Sequence, residues 1–400
     1  MNSTSVPVST EGPASENSLQ ARRSPEQVPG VFLMTNSFER GGSERQFVEL
    51  ACALQPEHFR VSLGCIQTIG PFRDAVGAVE TYPLGGSLYR WQSIRTRLRL
   101  AGELRRQQIA IAHAFDYYTN LTLIPAARLA RTPIVIGSQR QLGDLLTPRQ
   151  ERAQALVFRW ADCVICNSQA AAGRLAQNGF PAEKLAVIGN GLPPHAFAPA
   201  APGVPREPGI FRIGMIARMN ASSKNHALLL EVAARLRGRM KSFEILLAGD
   251  GPLRAELERK AEDLGVKDIV RFLGDLQDVQ AVLASVDVTV LPSASESLSN
   301  SILESMAAGV PVIANRLGGN SELLGDDRGI LVPPNDGEAM ATAVQRLSAD
   351  DSLRQAFARN ARTFALENFT IERMRNRHEE LYRRLLEKKG WRSAVPHGTN

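Results

Sequence analysis

The residue types best suited to chemistry lie in the segment Leu-Pro-Ser-Ala-Ser-Glu-Ser-Leu-Ser-Asn-Ser-Ile-Leu-Glu. Ser299 and Asn300 favour a helix start, which predicts a helix with Glu304 on its second turn and Glu296 in the loop before it. Backbone amides at such a start, including that of Ser301, can bind an anion, and a carboxylate one turn further can accept sugar hydroxyls. The alternative is that an acidic residue there only complements the helix dipole.

Two cations follow a predicted strand at residues 211–217. Arg218 ends this strand, and Lys224 opens a predicted helix at residues 225–236. Open α/β sheets bind ligands at the carboxyl ends of their strands, so this position predicts a diphosphate site rather than two ordinary solvated charges.

Two glycine turns accompany these charges. Gly249 begins a Gly-Asp-Gly-Pro turn between a strand and a helix, where the backbone can approach a neighbour closely. Gly41 and Gly42 precede a predicted helix at residues 43–53 and can form an anion-accepting nest. The Gly-Asp-Gly-Pro segment, considered alone, is also consistent with a simple turn, whereas for Gly41 and Gly42 the simple turn is the weaker interpretation.

Length and composition restrict the class of protein. Four hundred residues with 44% hydrophobic content predict two domains. The formal charge of +6 suits phosphorylated ligands or an anionic membrane, and no nucleic-acid module accompanies it. Without an apolar signal segment or a membrane-spanning run, we expect a cytoplasmic protein. Cys163 and Cys166 lie three apart in a predicted strand and therefore point to opposite faces, as buried reduced thiols.

Short apolar strands alternate with amphipathic helices from residue 31 onward, and the pattern restarts after a proline-rich stretch. This alternation is typical of doubly wound α/β domains. The predicted organisation is a disordered tail (1–29), an N-terminal Rossmann-like domain (30–195), a linker (196–209), a C-terminal Rossmann-like domain (210–368), a C-terminal helix (369–390) and a second disordered tail (391–400).

These motifs together resemble the retaining glycosyltransferases of family 4. Glu296 and Glu304, with seven residues between them, are similar to that family's Glu-x7-Glu motif, although Ser297 and Ser299 stand where relatives often have Gly or Pro. The order of the other motifs also matches, and the resemblance extends from residue 31 to about residue 384. The further matching motifs are Gly41-Gly42-Ser43-Glu44, Asn190-Gly191, Arg218 with Lys224, Gly249-Asp250-Gly251-Pro252, and Gly318-Gly319-Asn320-Ser321-Glu322.

The resemblance implies a GT-B fold, in which two Rossmann-like domains face each other across a cleft and a C-terminal helical segment returns to the N-terminal domain. It implies that Arg218 and Lys224 hold the diphosphate of a UDP- or GDP-sugar, that Glu304 binds the ribose and that Glu296 binds the transferred sugar. It further implies that Gly41 and Gly42 approach the donor phosphate, and that the enzyme retains anomeric configuration. No cofactor or metal site is predicted.

His113 ends another predicted strand, in Ile-Ala-Ile-Ala-His-Ala-Phe-Asp-Tyr-Tyr-Thr-Asn. Relatives carry further histidines here, whereas Phe115 and Tyr118 occupy the later positions in this chain. We expect His113 to act on the sugar or acceptor side, with Asp116 a weaker candidate. A lone His at a strand end is more often structural.

Three other functions are compatible with parts of the pattern. A GT-B sugar-nucleotide epimerase would share the cleft and the diphosphate contacts, and a non-catalytic nucleotide-sugar-binding subunit would share the fold. An NAD-dependent oxidoreductase is disfavoured because the first strand lacks Gly-x-Gly-x-x-Gly. The leading expectation is sugar transfer to a glycan or lipid-linked acceptor in cell-surface polysaccharide or glycolipid synthesis.

The segment at residues 89–106 is basic and amphipathic, with Trp91, Ile94, Leu98 and Leu104 available to one side. Such a helix can rest on anionic lipid at the inner face of the membrane. The simpler expectation is that its apolar stripe packs on the sheet.

Overall fold

The structure is a computed structural model that describes residues 28–391 apart from residues 87, 89, 277 and 326. The two predicted disordered tails lie almost entirely outside the described residues. The described part of the chain forms two parallel sheets with helices on their faces, as the alternation of apolar strands and helices predicts.

Within the described residues, the first sheet has seven strands in the order β3-β2-β1-β4-β5-β6-β7. All its strand pairs are parallel, and its central strands are buried along their whole length, as expected for a sheet covered on both faces. Its strands are Gly30–Thr35 (β1), Arg60–Cys65 (β2), Val79–Thr81 (β3), Ile109–Ala114 (β4), Ile134–Gln139 (β5), Cys163–Cys166 (β6) and Leu185–Val187 (β7). Cys163 and Cys166 are buried free thiols in β6, as predicted.

In the described part of the chain, five α-helices lie between the strands of this sheet in sequence. Several begin with a capping side chain: Asp116 caps α3 and Thr147 caps α4, each within a reciprocal capping box. The helices are Gly42–Ala53 (α1), Trp91–Arg106 (α2), Tyr117–Leu129 (α3), Pro148–Phe158 (α4) and Gln169–Gln177 (α5).

The second sheet, as far as the structure describes the chain, has six parallel strands in the order β10-β9-β8-β11-β12-β13. Its strands are Phe211–Ile216 (β8), Phe243–Ala248 (β9), Val270–Gly274 (β10), Val288–Leu291 (β11), Val312–Asn315 (β12) and Gly329–Val332 (β13). Its helices are His226–Arg237 (α6), Arg254–Asp263 (α7), Val279–Leu283 (α8), Asn300–Ala308 (α9), Asn320–Leu324 (α10), Gly337–Ala349 (α11) and Asp351–Asn368 (α12).

The last helix, Ile371–Lys388 (α13), packs on the first domain although it follows the second in sequence. Met374, Leu381 and Tyr382 belong to the same apolar cluster as strand β1, and Glu379 accepts a hydrogen bond from the His58 ring at 2.8 Å. Helix α12 ends at Asn368 and α13 begins at Ile371, and Asp350 separates α11 from α12.

The proline-rich stretch between β7 and β8 forms only a short turn at Pro194–Phe197 and then no helix or strand before residue 211. It lies against the second domain, where the Gly203 amide donates to the Ala281 carbonyl at 2.9 Å. The residue numbers assigned to the linker and the domain limits stay predictions.

Candidate functional site

The site begins with the loop and first turn around α9, at the carboxyl edge of the second sheet. Ser299 caps the helix by accepting from the Ile302 amide, and Ser301 donates from its hydroxyl to the Ile216 carbonyl at 2.6 Å. This second bond ties the start of α9 to the end of β8. The free amides of α9 therefore lie beside the strand end that carries Arg218.

Lys224 and Glu296 form an ion pair across this edge, with 2.6 Å between Nζ and Oε1. The turn containing Lys224 is bonded to the Glu296 loop as well, since the Ala294 amide donates to the Ser223 carbonyl at 2.7 Å. Glu296 is 9% exposed. The structure thus brings together two residues that the sequence separates by 72 positions.

Gly318 and Gly319 support the Glu296 loop from behind. A Cβ on Gly318 would lie 1.9 Å from the Glu296 carbonyl oxygen, and one on Gly319 would lie 1.9 Å from that of Ser297. Gly318 also has a positive φ of 46°. Only glycine allows the two loops to approach this closely, so these glycines determine where the Glu296 side chain starts.

Arg218 and Gly249 lie on neighbouring turns of the same edge. Arg218 is exposed and donates from Nη1 to the Arg40 carbonyl, in the first domain, at 2.9 Å. Gly249 has a φ of 136°, and a Cβ there would lie 2.1 Å from the Ala217 carbonyl oxygen, next to Arg218. The Gly-Asp-Gly-Pro turn therefore positions the backbone of the Arg218 turn.

Glu304 lies inside α9 and is almost completely buried, with 5% of its side chain exposed. Its carboxylate is ion-paired with the guanidinium of Arg45, on α1 of the other domain. Burial raises the pKa of Glu304, and Arg45 opposes this shift. The sequence interpretation missed Arg45, because nothing in a single sequence links positions that are 259 residues apart.

The glycine turn before α1 lies against the start of α9. The amide nitrogen of the Asn300 side chain is 3.4 Å from the Gly42 carbonyl oxygen and 3.1 Å from where a Cβ on Gly42 would lie. Gly41 occupies the N-cap position of α1. Both glycines and Asn300 therefore line the same narrow gap between the domains.

A chain of polar side chains continues from Asn300 into the first domain. Asn190 donates to the Asn300 side-chain oxygen at 2.6 Å, and Arg140 donates to the Asn190 oxygen at 2.6 Å. Asn190 follows β7, and Arg140 follows β5, so both stand at the carboxyl edge of the first sheet. Arg140 was not among the predicted site residues. Its position directly after a strand was the available signal.

Ser297 forms a buried contact between the domains. Its hydroxyl donates to the Asn167 side-chain oxygen at 2.5 Å and lies 3.0 Å from the Ser168 hydroxyl. Glycine or proline at this position would have no hydroxyl for either bond. The departure from the usual family motif therefore adds a polar link across the domain boundary.

His113 lies apart from this group of residues. Its side chain is fully buried, with Nδ1 2.7 Å from the Tyr382 hydroxyl on α13 and Nε2 2.9 Å from the Ser138 hydroxyl on β5. Burial holds its pKa well below the ordinary value. Both ring nitrogens are engaged, so the geometry fits a structural link between α13 and the sheet and does not fit the predicted contact with sugar or acceptor.

Asp116 has a similar structural position. Its carboxylate caps α3 through the Thr119 amide at 3.0 Å and also accepts from the Asn36 amide at 2.7 Å. Burial raises its pKa to about 6, against the effect of these bonds. These contacts explain the residue as a cap that fixes the loop after β1.

Two further observations concern metals and membranes. Among the described residues, no three His, Cys, Asp or Glu side chains come together as a metal site would require. None of the helices in the described part of the chain is long and apolar enough to cross a lipid bilayer.

Known sequence families match both halves of the chain. The family described as Glycosyltransferase Family 4 matches residues 40–196, and the one described as Glycosyl transferases group 1 matches residues 210–350. The first match includes α1 and the strands β2 to β7, and the second includes α9 and the strands β8 to β13.

Individual relatives agree with these matches. The chain is 33% identical over 225 residues, 56% of its length, to the lipopolysaccharide core biosynthesis glycosyltransferase LpsE of Rhizobium meliloti. It is 25% identical, over 82% of its length and 90% of the relative, to the Escherichia coli UDP-Gal:alpha-D-GlcNAc-diphosphoundecaprenol alpha-1,3-galactosyltransferase. The matched part spans 65% of LpsE and 55% of a Bacillus subtilis relative, less than two thirds of each.

A solved structure shares the fold. The chain superimposes on Anabaena Alr3699/HepE, crystallised with UDP and glucose, with a TM-score of 0.75 over 88% of this chain and 98% of that one. Sequence identity between the two is 21%. The likeness confirms the predicted arrangement of two Rossmann-like domains.

Proposed function

The chain belongs to the family 4 glycosyltransferases, and we propose that it transfers a sugar, with retention of anomeric configuration, from a nucleotide-diphosphate-sugar to a glycan or lipid-linked acceptor. The observation that carries the proposal is the arrangement of Lys224, Glu296 and Glu304 around the start of α9. A cation, a helix N-terminus and two nearly buried carboxylates match the phosphates and hydroxyls of such a donor.

In this proposal, Arg218, Lys224 and the first amides of α9 bind the diphosphate. The bond from the sugar to the β-phosphate breaks during transfer, so negative charge grows on the departing nucleoside diphosphate. Preorganised cations and amides stabilise that charge, and one such donor contributes about 2.7–4 kcal/mol to lowering the barrier by analogy with oxyanion holes. Glu304 binds the ribose hydroxyls and Glu296 binds the transferred sugar.

The carboxylate of Glu304 is ion-paired with the guanidinium of Arg45. A ribose that hydrogen-bonds to Glu304 must therefore share or displace this guanidinium. Arg45 is part of the proposed donor site for this reason, together with Gly41, Gly42, Gly249, Ser299, Asn300 and Ser301.

The acceptor proposal draws on the relatives. The E. coli relative is named for transfer to a diphosphoundecaprenol-linked sugar, and LpsE for lipopolysaccharide core synthesis. These names support a role in cell-surface polysaccharide or glycolipid synthesis. Metal independence stays a prediction, tested by activity in the presence of EDTA.

Contact with a membrane surface is the second part of the proposal. On α2, Trp91, Ile94 and Leu98 are 68%, 43% and 53% exposed, while residues such as Leu100 and Leu104 face the protein core. The expectation that the whole apolar stripe packs on the sheet is therefore wrong for the three exposed residues. Exposed arginines at 90 and 95 flank them, as charge complementarity to anionic lipid requires.

A nucleotide-sugar screen tests the catalytic proposal. Purified protein is heated with UDP- and GDP-sugars, and a bound donor is expected to raise the melting temperature. The stabilising donor is then incubated alone and with acceptor glycans, and products are identified by mass spectrometry. Conversion of the donor sugar without acceptor would indicate an epimerase, and binding with no product under any condition would indicate a non-catalytic subunit.

Liposome flotation tests the membrane contact. The protein is mixed with vesicles containing anionic lipid at low and high salt, beside a Trp91→Ala/Leu98→Ala variant. We expect binding at low salt, weaker binding at high salt and a clear loss in the variant. Absence of wild-type binding at both salt concentrations rejects the membrane contact and leaves the donor proposal unaffected.

A further inference from the structure

Arg140 has an unusual environment for a cation. Its guanidinium lies over the Phe115 ring, with Cζ 5.5 Å from the centroid, and makes one described side-chain hydrogen bond, to Asn190 at 2.6 Å. Its Nε is buried and has no hydrogen-bond partner among the residues that the structure describes. A buried hydrogen-bond donor without a partner costs free energy, so the Nε–H group is available to a hydrogen-bond acceptor on a ligand.

The charges around Arg140 are unbalanced. His113 and His378 lie within electrostatic range, and burial keeps both neutral by lowering their pKa values. Among the described residues, the carboxylate of Glu44, on the first turn of α1, supports the charge of Arg140, and burial still lowers the pKa of Arg140 to about 10. Because Glu44 forms no described hydrogen bond with Arg140, the cation is only partly neutralised.

The position of Arg140 relates it to the donor site. Asn190 bridges Arg140 to Asn300, the first residue of α9, so the guanidinium stands two side chains away from the proposed diphosphate site. It belongs to the first domain, on the opposite side of the gap from Lys224. An anion at Arg140 would therefore be a second one, separate from the donor phosphates.

We propose that Arg140 and Asn190 form a phosphoryl-binding subsite for the acceptor. The carboxylate of Glu44 and the acceptor phosphate are both anions, so they compete for the positive charge of Arg140. The inference rests on the proposed glycosyltransferase function. Guanidinium groups bind phosphate through paired N–H donors, and the unpartnered Nε is one of the two that such a pair needs. The acceptor then carries a phosphate or diphosphate close to the hydroxyl that receives the sugar.

Titration calorimetry with inorganic pyrophosphate tests the subsite on the full chain. The protein is first saturated with UDP or GDP, whichever stabilises it, so that the donor site is occupied. Pyrophosphate is expected to bind the wild type, and Arg140→Gln is expected to weaken this binding at least tenfold without changing nucleotide affinity. Arg174→Gln, which alters an arginine paired with Glu151 on the surface, is the matched control and should bind as the wild type does.

Glu44→Gln gives an independent outcome if Arg140→Gln does not fold. Removing this carboxylate leaves Arg140 with less opposing charge, and pyrophosphate should bind several-fold more tightly. If Arg140 had a purely structural role, Glu44→Gln would not tighten pyrophosphate binding. Geranyl diphosphate and glucose 1-phosphate are compared next: stronger binding of the first indicates a lipid diphosphate, and stronger binding of the second a sugar phosphate.

Two results would overturn the subsite: no pyrophosphate binding to the nucleotide-saturated wild type, or equal binding by the wild type and Arg140→Gln. Failure of the proposed function is distinguishable, since it appears as a lack of binding by any nucleotide or nucleotide-sugar. In that case the titration is repeated on Lys224→Ala without nucleotide, where Arg140-dependent binding still decides the inference.

Discussion

The guanidinium of Arg45 on α1 is ion-paired with the carboxylate of Glu304 inside α9, so a charge in the second domain is neutralised by the first. Breaking a buried pair by removing one partner leaves an uncompensated charge. Arg45 is 27% exposed, which reduces the penalty through solvent screening. We expect Arg45→Ala to lower the free energy of unfolding by about 2 kcal/mol, measured by urea denaturation.

The control for this prediction is Arg106→Ala, which removes an arginine from an exposed pair with Glu103 on α2. That variant should unfold as the wild type does, because exposed pairs contribute little. An equal response of the two variants would show that the pair between the domains has no special role.

Lys224→Ala is expected to lower the rate of transfer by about 10²–10³, since it removes a preorganised cation from the departing diphosphate. The protein should remain folded, because Lys224 is partly exposed and stands at the end of a turn. The measurement is nucleoside diphosphate release from the donor identified by the screen, with circular dichroism as a check of folding. Lys267→Ala, in an exposed pair, is the control. Near-normal release from Lys224→Ala would remove Lys224 from the donor site.

The sequence predicts those parts of the site that are determined by residues close together in the chain. The start of α9 depends on Ser299 and its neighbours, so the cap and the positions of Glu296 and Glu304 follow from local preferences. The partners Arg45 and Arg140 depend on how two domains meet, which no local pattern encodes. The position of His113 at a strand end was predicted from local sequence. Its burial was not, because Tyr382, which covers it, belongs to a helix 269 residues further along the chain.

The exposed face of α2 shows a related limit. Periodicity identifies an amphipathic helix, but it does not say which of two adjacent apolar rows faces inward. The structure buries the row containing Leu100 and Leu104 and exposes the row containing Trp91 and Leu98. Packing against α3 and the sheet decides between the rows, and this is tertiary information.

Glu304 is predicted to distinguish ribose from deoxyribose. A carboxylate that accepts ribose hydroxyls loses one bond when the nucleotide lacks a hydroxyl, and a hydrogen bond to a charged group contributes about 1.5–3 kcal/mol. The wild type should therefore bind UDP or GDP more tightly than the 2′- or 3′-deoxy form by at least tenfold. Glu304→Ala should bind the two forms equally, as measured by calorimetry. Unchanged discrimination in Glu304→Ala would place the ribose elsewhere.

Stability is expected to fall in mild acid because of His378. Burial lowers its folded pKa from the ordinary 6.5 to about 4, so between these values the unfolded chain binds a proton that the folded chain does not. The stabilisation is complete above about pH 6.5 and is lost as pH falls towards 4, by about 3 kcal/mol. Burial also lowers the pKa of His113, which adds to the loss of stability in acid. The pKa of Asp116 is raised to about 6, and this opposes the loss.

The measurement is urea unfolding of the wild type and of His378→Leu from pH 7 to pH 4.5. The variant should show a shallower loss of stability with acid, whatever its stability at pH 7. His195→Gln changes an exposed histidine and should follow the wild-type pH dependence. Parallel curves for wild type and His378→Leu would contradict the prediction.

Gly319→Ala tests whether the loop behind Glu296 sets the position of that carboxylate. The added Cβ would lie 1.9 Å from the Ser297 carbonyl oxygen, a backbone atom that cannot move without displacing the loop. Glu296 lies one residue before Ser297, so its pairing with Lys224 should be disturbed, and we expect transfer to fall at least tenfold. Gly102→Ala is the matched control: a Cβ at Gly102 meets nothing within 4 Å, and Ala at this position within α2 should stabilise the helix by about 0.5–1 kcal/mol. Transfer should then remain normal in Gly102→Ala, and full activity in Gly319→Ala would show that the position of Glu296 does not depend on this glycine.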